Sequence, residues 1–151
     1  MYAVATSRPA LFESFTITVQ TEHSRQFIDL TDEIVAGVEE SGIAQGMVVV
    51  ASQHTTAAIA VNEHEPELLK DLDRFLSVVA PEAHAYHHNA VPCGPGEQPN
   101  GHAHCQALLL NTSATIPIAE GRALLGRYQR IFLVELDCSR PRSVTVCFLG
   151  T

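Results

Sequence analysis

Basic residues and long apolar runs are scarce in this chain. Its 151 residues include 9 Lys+Arg against 17 Asp+Glu, which gives a formal net charge of −8. Because affinity for nucleic acid depends largely on neutralising phosphates with a basic surface, we expect no nucleic-acid partner. No apolar run approaches the ~20 residues that cross a bilayer, and residues 1–8 lack the basic start and apolar stretch of a secretory signal. These absences predict a cytoplasmic protein with no membrane partner.

Cysteine usage argues against a disulfide scaffold. The four cysteines, Cys93, Cys105, Cys138 and Cys147, form no Cys-x-x-Cys pair. Without an export signal, disulfides are not favoured. We expect four free thiols, and a ligand role is an alternative for Cys105 because it follows a histidine pair.

Size and composition fit one globular domain. The 16.4 kDa chain is 46% hydrophobic and 17% charged, which is too apolar for a disordered protein. The sequence predicts a single domain over residues 1–151. Residues 76–151 contain five arginines and no lysine, and these arginines either bind a planar anion such as phosphate or lie on the solvated surface.

The pattern of apolar residues predicts an α+β domain. One helix is expected to be capped by Thr31 and to stop at the Ser41-Gly42 pair, and a longer one begins at Pro66 and ends before Pro81. Residues 81–101 are rich in proline and glycine and predict a long loop. Strands are predicted near residues 15–20, 47–51, 57–61, 107–110, 115–118, 131–137 and 143–149.

Histidines form the first candidate site. Five of the eight histidines fall between residues 84 and 104. In an extended segment, His102 and His104 would lie on one side and offer two nitrogens to one metal. Three histidines with an open fourth position would suit zinc or another divalent ion that activates water or polarises an oxygen. The alternative is a loop whose histidines only face water.

A polar interruption of an apolar stretch forms the second candidate site. Residues 52–56, Ser-Gln-His-Thr-Thr, separate two apolar runs. Buried polar groups need partners, and such breaks in pattern tend to mark functional sites. His54 is therefore the first choice for a site residue. Asn62 and Glu63, before the long helix, either hold an anion or cap the helix, and Asp71 on that helix either orients a histidine or is solvated.

Glu135 lies within the apolar run of residues 131–137. Its side chain either lies at a rim or pairs with a buried group, because a buried carboxylate that is left ionised needs a partner. Gln129 has the same parity in the strand and Arg142 opens the next strand, so the three side chains are able to form one polar set.

Several motifs together resemble the YjbQ family, also called UPF0047, over roughly residues 13–150. The most specific are His54-Thr55-Thr56 with the following Asn62-Glu63, and Leu-Gly-Arg-Tyr-Gln at residues 125–129. The sequence departs from the family pattern at Asn89, where an Asp is common, and at Tyr128, where a Trp is usual.

The resemblance implies a compact α+β unit with a mixed, curved β-sheet and two to three helices, assembled as a homotrimer. It also implies a transferase of the secondary thiamine-phosphate synthase type, which couples a hydroxymethylpyrimidine diphosphate to a thiazole phosphate. The partner would be a phosphorylated small molecule, and the cofactor a divalent metal, zinc or magnesium. The alternative is a trimer that binds a metal or metabolite without efficient catalysis.

Site residues follow from the two candidate sites and from the resemblance. The expected catalytic residues are His54, Glu63, Asp71 and Glu135. The expected substrate-binding residues are Ser52, Thr55, Thr56, Asn62, Asn100, Gln129 and Arg142. The expected metal ligands are His54, His88, His104 and, with less support from the family pattern, His102.

Overall fold

The computed structural model describes residues 10–151, so the secretory-signal interpretation of residues 1–8 lies outside the described residues. Three α-helices, α1 (Thr31–Ser41), α2 (Pro66–Val79) and α3 (Gly101–Leu109), occur with one 3₁₀ helix, His87–Ala90. The strands are β1 (Leu11–Gln20), β2 (Gln26–Asp29), β3 (Gln45–Ser52), β4 (Ala57–Glu63), β5 (Ser113–Ala119), β6 (Arg122–Ala123), β7 (Gln129–Glu135) and β8 (Pro141–Gly150).

The strands form two sheets. The larger has the order β1-β8-β3-β5-β6 and the smaller has the order β2-β7-β4. Every pairing between the described strands is antiparallel. The α+β class and the three helices are confirmed, but a sheet that mixes parallel and antiparallel strands is not found among the described residues. The connections that join neighbouring strands are compatible with antiparallel pairing throughout.

The smaller sheet is buried on both faces, which explains its apolar strands. Ile59 and Leu133 face the larger sheet and α1, in the main core. Phe132 and Val134, one residue out of phase, pack with Leu76 of α2 and with α3. Because side chains alternate along a strand, residues 131–134 of β7 have no solvent-facing side and form a continuous apolar run.

The two longer helices match their predicted positions, with one difference at the start of α1. Thr31 is the first helical residue, and no side chain caps the preceding Leu30. Asp29 Oδ1 instead accepts the Thr31 N–H at 2.9 Å. In α2, Pro66 occupies the first turn and the Glu65 carboxylate accepts the N–H groups of Glu67 and Leu68, which satisfies two of the unpaired amides of the helix start.

The predicted strand at residues 107–110 is wrong, because the segment belongs to α3 and its C-terminal cap. A short apolar run fits a buried helix end as well as a strand. The helix begins inside the predicted loop, at Gly101. Among the described helices, none is long and apolar enough to cross a membrane.

Candidate functional site

The polar segment between β3 and β4 is the turn that carries the chain from the larger sheet to the smaller one. Ser52 organises this turn, because its hydroxyl donates to the Ala57 carbonyl at 3.2 Å and accepts the His54 N–H at 3.3 Å. Ser52 therefore shapes the site and does not line it. The interruption in the apolar pattern marks the point where the chain changes sheets.

The His54 ring completes the hydrogen-bond ladder between β3 and β8. The Gln53 N–H donates to the Ser143 carbonyl at 3.4 Å, and the Ser143 N–H donates to His54 Nε2 at 2.8 Å. The imidazole thus replaces the main-chain acceptor expected at the ladder's end. Burial lowers the pKa of His54, and the positive charges of Arg142 and Arg140 lower it further, against the opposing effect of Glu135.

Glu135 and Arg142 form a buried ion pair beside His54. The carboxylate accepts from Arg142 Nε at 2.6 Å and from Arg142 Nη2. It also accepts the Thr21 hydroxyl and the Asp137 N–H, each at 2.9 Å. The Arg142 Nη2 donates in addition to the Thr56 hydroxyl at 3.1 Å. Since Glu135 is fully buried and Arg142 is 3% exposed, the carboxylate fixes the orientation of the guanidinium.

A second arginine lies against the same rim. Arg140 Nη2 is 2.8 Å from Asp137 Oδ2 and also contacts the Cys138 sulfur. The hydrogen bond to the Cys138 sulfur, more than the nearby carboxylates, raises the pKa of Arg140. Asp137 Oδ2 also accepts from the Asn100 amide at 2.9 Å. The network therefore links the end of β7 to the start of α3.

The 3₁₀ helix and α3 bring two of the predicted metal ligands together. Asn89 Oδ1 accepts the Gly101 N–H at 2.9 Å, and a Cβ at Gly101 would lie only 2.5 Å from Tyr86, so glycine permits the close approach. The rings of His88 and His104 are 4.7 Å apart between centroids, with an angle of 79° between their planes. Burial and the nearby His88 lower the pKa of His104, whereas Asp137 opposes them.

These elements enclose one open polar pocket of about 430 Å³. The turn, β8 and the start of α3 form one side, and the loop of residues 91–99 forms the other. The predicted site residues in its lining are His54, Thr55, Thr56, His88, Asn100, His104 and Arg142, together with the unpredicted Gln53, Val91, Pro92, Cys93, Glu97, Gln98, Pro99 and Arg140.

His102 does not join this pocket. In an α-helix, residues two apart point to nearly opposite sides, so the pair that a strand would align is separated. His102 is 2% exposed and faces the core with Gln106, whose amide donates to the carbonyls of Leu76 and Ala80. Neither ring nitrogen of His102 has a hydrogen-bond partner among the described residues. Its predicted partnership with His104 at one metal is therefore wrong.

Asn62, Glu63 and Gln129 lie at the opposite end of the smaller sheet. The register pairs Ala57 with Glu135 at the pocket end and Glu63 with Gln129 six residues away, or roughly 20 Å at the rise of a strand. Asn62 accepts the Glu63 N–H, and Gln129 accepts the Gly126 N–H within a turn. The polar set of Gln129 with Glu135 and Arg142 is therefore not formed, and only the last two meet.

Asp71 is likewise distant from the pocket lining. It is exposed on α2 and, among the described residues, has no side-chain hydrogen bond. Helical periodicity places its neighbour Leu72, and not Asp71, toward the half-buried side. The solvated alternative fits its position.

Sequence reasoning missed Arg140, Asp137 and Thr21. Arg140 was counted only among the second-half arginines, and its two-residue spacing from Arg142 is a signal that could have placed both at one end of β8. Thr21, which is fully buried and bonds to Glu135, carries no signal, because a single threonine after a strand is common.

The pocket collects the imidazoles of His54, His88 and His104 and two guanidinium groups that carboxylates hold in place. Such groups exchange protons near neutral pH and bind planar anions. The residues do not fit a metal centre of three histidines. The rings of His88 and His104 are adjacent, whereas His54 Nε2 accepts the Ser143 N–H. Among the described residues, no group of three or more His, Cys, Asp or Glu side chains is arranged to hold a metal.

The fold and pocket define a class of small α+β proteins with two antiparallel sheets and a histidine-rich pocket where the sheets meet. The model of a family described as UPF0047 protein YjbQ-like matches residues 15–151. The chain belongs to this family.

Relatives of known sequence and structure agree with that membership. A UPF0047 protein of Methanothermobacter thermautotrophicus is 36% identical over 89% of this chain and 90% of its own. The crystal structure of a YbjQ-like protein of unknown function from Sulfolobus solfataricus has a TM-score of 0.89 and 34% identity, and covers 95% of this chain and 100% of its own. A hypothetical protein from Aeropyrum pernix has a TM-score of 0.85 and 37% identity, and covers 92% and 99%.

Proposed function

We propose that this protein is a cytoplasmic transferase of the secondary thiamine-phosphate synthase type, which binds a phosphorylated small molecule in the pocket. The observation that carries the proposal is the convergence of two arginines, Arg140 and Arg142, with His54, His88 and His104 on one pocket. Guanidinium groups bind phosphate oxygens, and imidazoles transfer protons to and from a reacting group. The reaction class comes from the family resemblance.

The two ion pairs support the binding of an anion, because each carboxylate orients an arginine and also balances its charge. Each arginine is held by a carboxylate, Arg142 by Glu135 and Arg140 by Asp137. Fixed donors lose little freedom when a ligand binds. A diphosphate leaving group would therefore meet oriented donors while the pocket keeps a balanced net charge.

A divalent metal belongs to the proposal with His88 and His104 as its protein ligands. Imidazole nitrogen suits zinc better than magnesium, which prefers oxygen ligands. When bound, the ion would neutralise charge on phosphate oxygens. Elemental analysis of untagged protein should find less metal in His104→Ala than in His23→Ala, whose histidine is exposed outside the pocket. Equal metal content in the two variants would contradict ligation by His104.

Product formation tests the reaction. Untagged protein is incubated with hydroxymethylpyrimidine diphosphate, thiazole phosphate and either zinc or magnesium, and thiamine phosphate is measured. We expect product from the parent and from His23→Ala, and at least a tenfold loss in His104→Ala. Binding of both substrates without product would instead indicate the metabolite-binding alternative. The absence of both substrate binding and product would overturn the proposal.

The homotrimer is also part of the proposal, and an open face of the larger sheet supports it. Phe12, Leu149 and Met47 lie in one row across three neighbouring strands and are 67%, 43% and 40% exposed. Pro117 continues the row on β5. Apolar rows of this kind favour burial against another chain. Light scattering at micromolar concentration should give about three times the 16.4 kDa chain mass, and the mass of a monomer would contradict assembly.

A further inference from the structure

We infer that His54 is a neutral hydrogen-bond donor that presents Nδ1–H to a phosphate oxygen of the ligand, and that it does not bind a metal. The identity of the acceptor rests on the proposed function, whereas the state of the ring rests on the main chain alone. This inference differs from the role as a metal ligand that the sequence predicted.

The main chain determines which nitrogen of His54 carries the proton. An amide N–H can only donate, so the Ser143 N–H at 2.8 Å requires a lone pair on His54 Nε2. A neutral imidazole has one N–H, which must then be on Nδ1. Rotating the ring by half a turn would place a carbon against the Ser143 amide and lose the bond. The backbone therefore selects one tautomer.

The same contact opposes metal binding through either nitrogen. Nε2 is occupied by the Ser143 N–H. Ligation through Nδ1 would move the proton to Nε2, where it would face the Ser143 donor across 2.8 Å. Either mode would break the terminal hydrogen bond between the turn and β8.

The surroundings of the ring favour an anionic acceptor. His54 lines the pocket with Arg140 and Arg142, and no described residue accepts a hydrogen bond from its Nδ1. The two nitrogens of an imidazole point in widely different directions, so the edge opposite Ser143 is the one available to a ligand. The same arginines that lower the pKa of His54 attract phosphate. A neutral donor adds a hydrogen bond there without adding a third positive charge.

The tautomer can be measured directly by long-range ¹H–¹⁵N NMR of the ¹⁵N-labelled, metal-free full chain. Comparison with His54→Gln assigns the resonances. We expect a protonated Nδ1 and an unprotonated Nε2, with or without ligand. A protonated Nε2 would overturn the inference, whatever the protein catalyses.

Two substitutions separate donation to a ligand from a structural role. In His54→Gln, the amide oxygen is able to accept the Ser143 N–H while the amide nitrogen donates into the pocket. His54→Leu can do neither. Calorimetric titration with inorganic phosphate should show a roughly tenfold weaker Kd in His54→Leu and less than a threefold change in His54→Gln, with folding of both checked by circular dichroism. Equal losses in the two variants would overturn the donor role.

Zinc titration tests the exclusion from metal binding. We expect His54→Gln to keep the parent's zinc stoichiometry and affinity, while His104→Ala weakens zinc binding. Loss of zinc in His54→Gln to the same extent as in His104→Ala would overturn the inference. If the parent binds no phosphate, the proposed function fails, and the tautomer and zinc results still decide the role of His54.

Discussion

The two ends of the smaller sheet each hold an arginine paired with a carboxylate, and the pairs differ in depth. At the pocket end, Glu135 and Arg142 are buried and bond to each other through two pairs of atoms. At the other end, Asp29 accepts from Arg130 Nε at 2.7 Å and from His64 Nδ1 at 2.8 Å, and Arg130 is 36% exposed. Similar residues thus form a buried pair beside the histidine-rich pocket at one end and a more exposed pair at the other.

The two pairs also differ in the other groups that each carboxylate and its arginine contact. The Asp29 carboxylate also accepts from the N–H and hydroxyl of Thr31, so it ties β2 to the start of α1 and to β7. Glu135 positions Arg142, which lines the histidine-rich pocket, and Arg130 and His64, which bond to Asp29, line a second open cavity of about 440 Å³. The two pairs therefore differ in burial and in the elements that they connect, and not in whether a partner faces a cavity.

The largest expected effect is that of Glu135→Gln. This change leaves the buried Arg142 charge uncompensated, and breaking a buried ion pair costs about 3 kcal/mol or more. Urea unfolding at pH 7 measures the loss. The double variant Glu135→Leu with Arg142→Met removes both charges and should be less destabilised than the sum of the two single variants. A loss below about 1 kcal/mol in Glu135→Gln would remove the distinction between the two ends.

Exchanging arginine for lysine at both ends sharpens the comparison. Arg142→Lys keeps the charge but loses the planar fork, and we expect a loss of about 2 kcal/mol in unfolding free energy together with weaker phosphate binding. Arg130→Lys, at the more exposed pair, should cost less than about 1 kcal/mol. Both values come from urea unfolding. Equal losses in the two variants would show that burial of the ion pair does not change its contribution to the free energy of unfolding.

The pH dependence of stability should distinguish Asp29. Burial alone would raise the pKa of Asp29, but hydrogen bonds from Arg130, Thr31 and His64 outweigh it and hold the pKa well below its usual range. The carboxylate therefore stabilises the fold above its unfolded pKa, about 3.9, and this contribution is lost as the pH falls through that value toward the folded pKa.

Asp29→Asn should consequently cost about 1–2 kcal/mol at pH 7, and the difference from the parent should shrink as the pH is lowered below 4. Urea unfolding at pH 7, 5 and 3 checks both statements. A difference that stays constant over this range would indicate that the Asp29 charge contributes nothing.

The smallest effect is expected for Asp32→Asn. Asp32 contacts Arg130 at 2.9 Å but is 82% exposed, so solvent screens the pair. We expect a change within about 0.5 kcal/mol in the same unfolding assay. A larger loss would mean that Asp32, and not Asp29, stabilises this end of the sheet.

Local sequence patterns predicted those elements whose apolar residues repeat with one clear helical or strand period. The amphipathic spacing of α2 and the apolar runs of β3, β4 and β7 gave their positions, since each follows a helical or strand repeat. Residues 101–109 carry only a short apolar run, and the assumption of an extended chain there also misplaced His102. Treating this segment as extended therefore gave both a wrong strand and a wrong position for the proposed metal ligand His102.

Positions within the site were harder to predict than its residue types. His54, Arg142 and Glu135 were selected because polar groups in apolar strands need partners, and the structure brings them together. Gln129 was grouped with them by strand parity, and Glu63 was selected for its place before the long helix, but strand register separates both from the pocket by the length of the smaller sheet. Register depends on pairing between distant segments, which a local pattern does not encode.

The placement of β8 between β1 and β3 also determines when the larger sheet is able to form. β1 pairs with β8 from Leu11 opposite Gly150 to Gln20 opposite Pro141, and β8 is the only described neighbour of β1. Such distant pairing slows folding, because the entropy cost of closing a long loop comes before the stabilising contacts between the strands form. During synthesis, β1 therefore cannot pair with β8 until residues 141–150 have left the ribosome. Until then, its apolar side chains and those of β3 are exposed to chaperones and to other nascent chains.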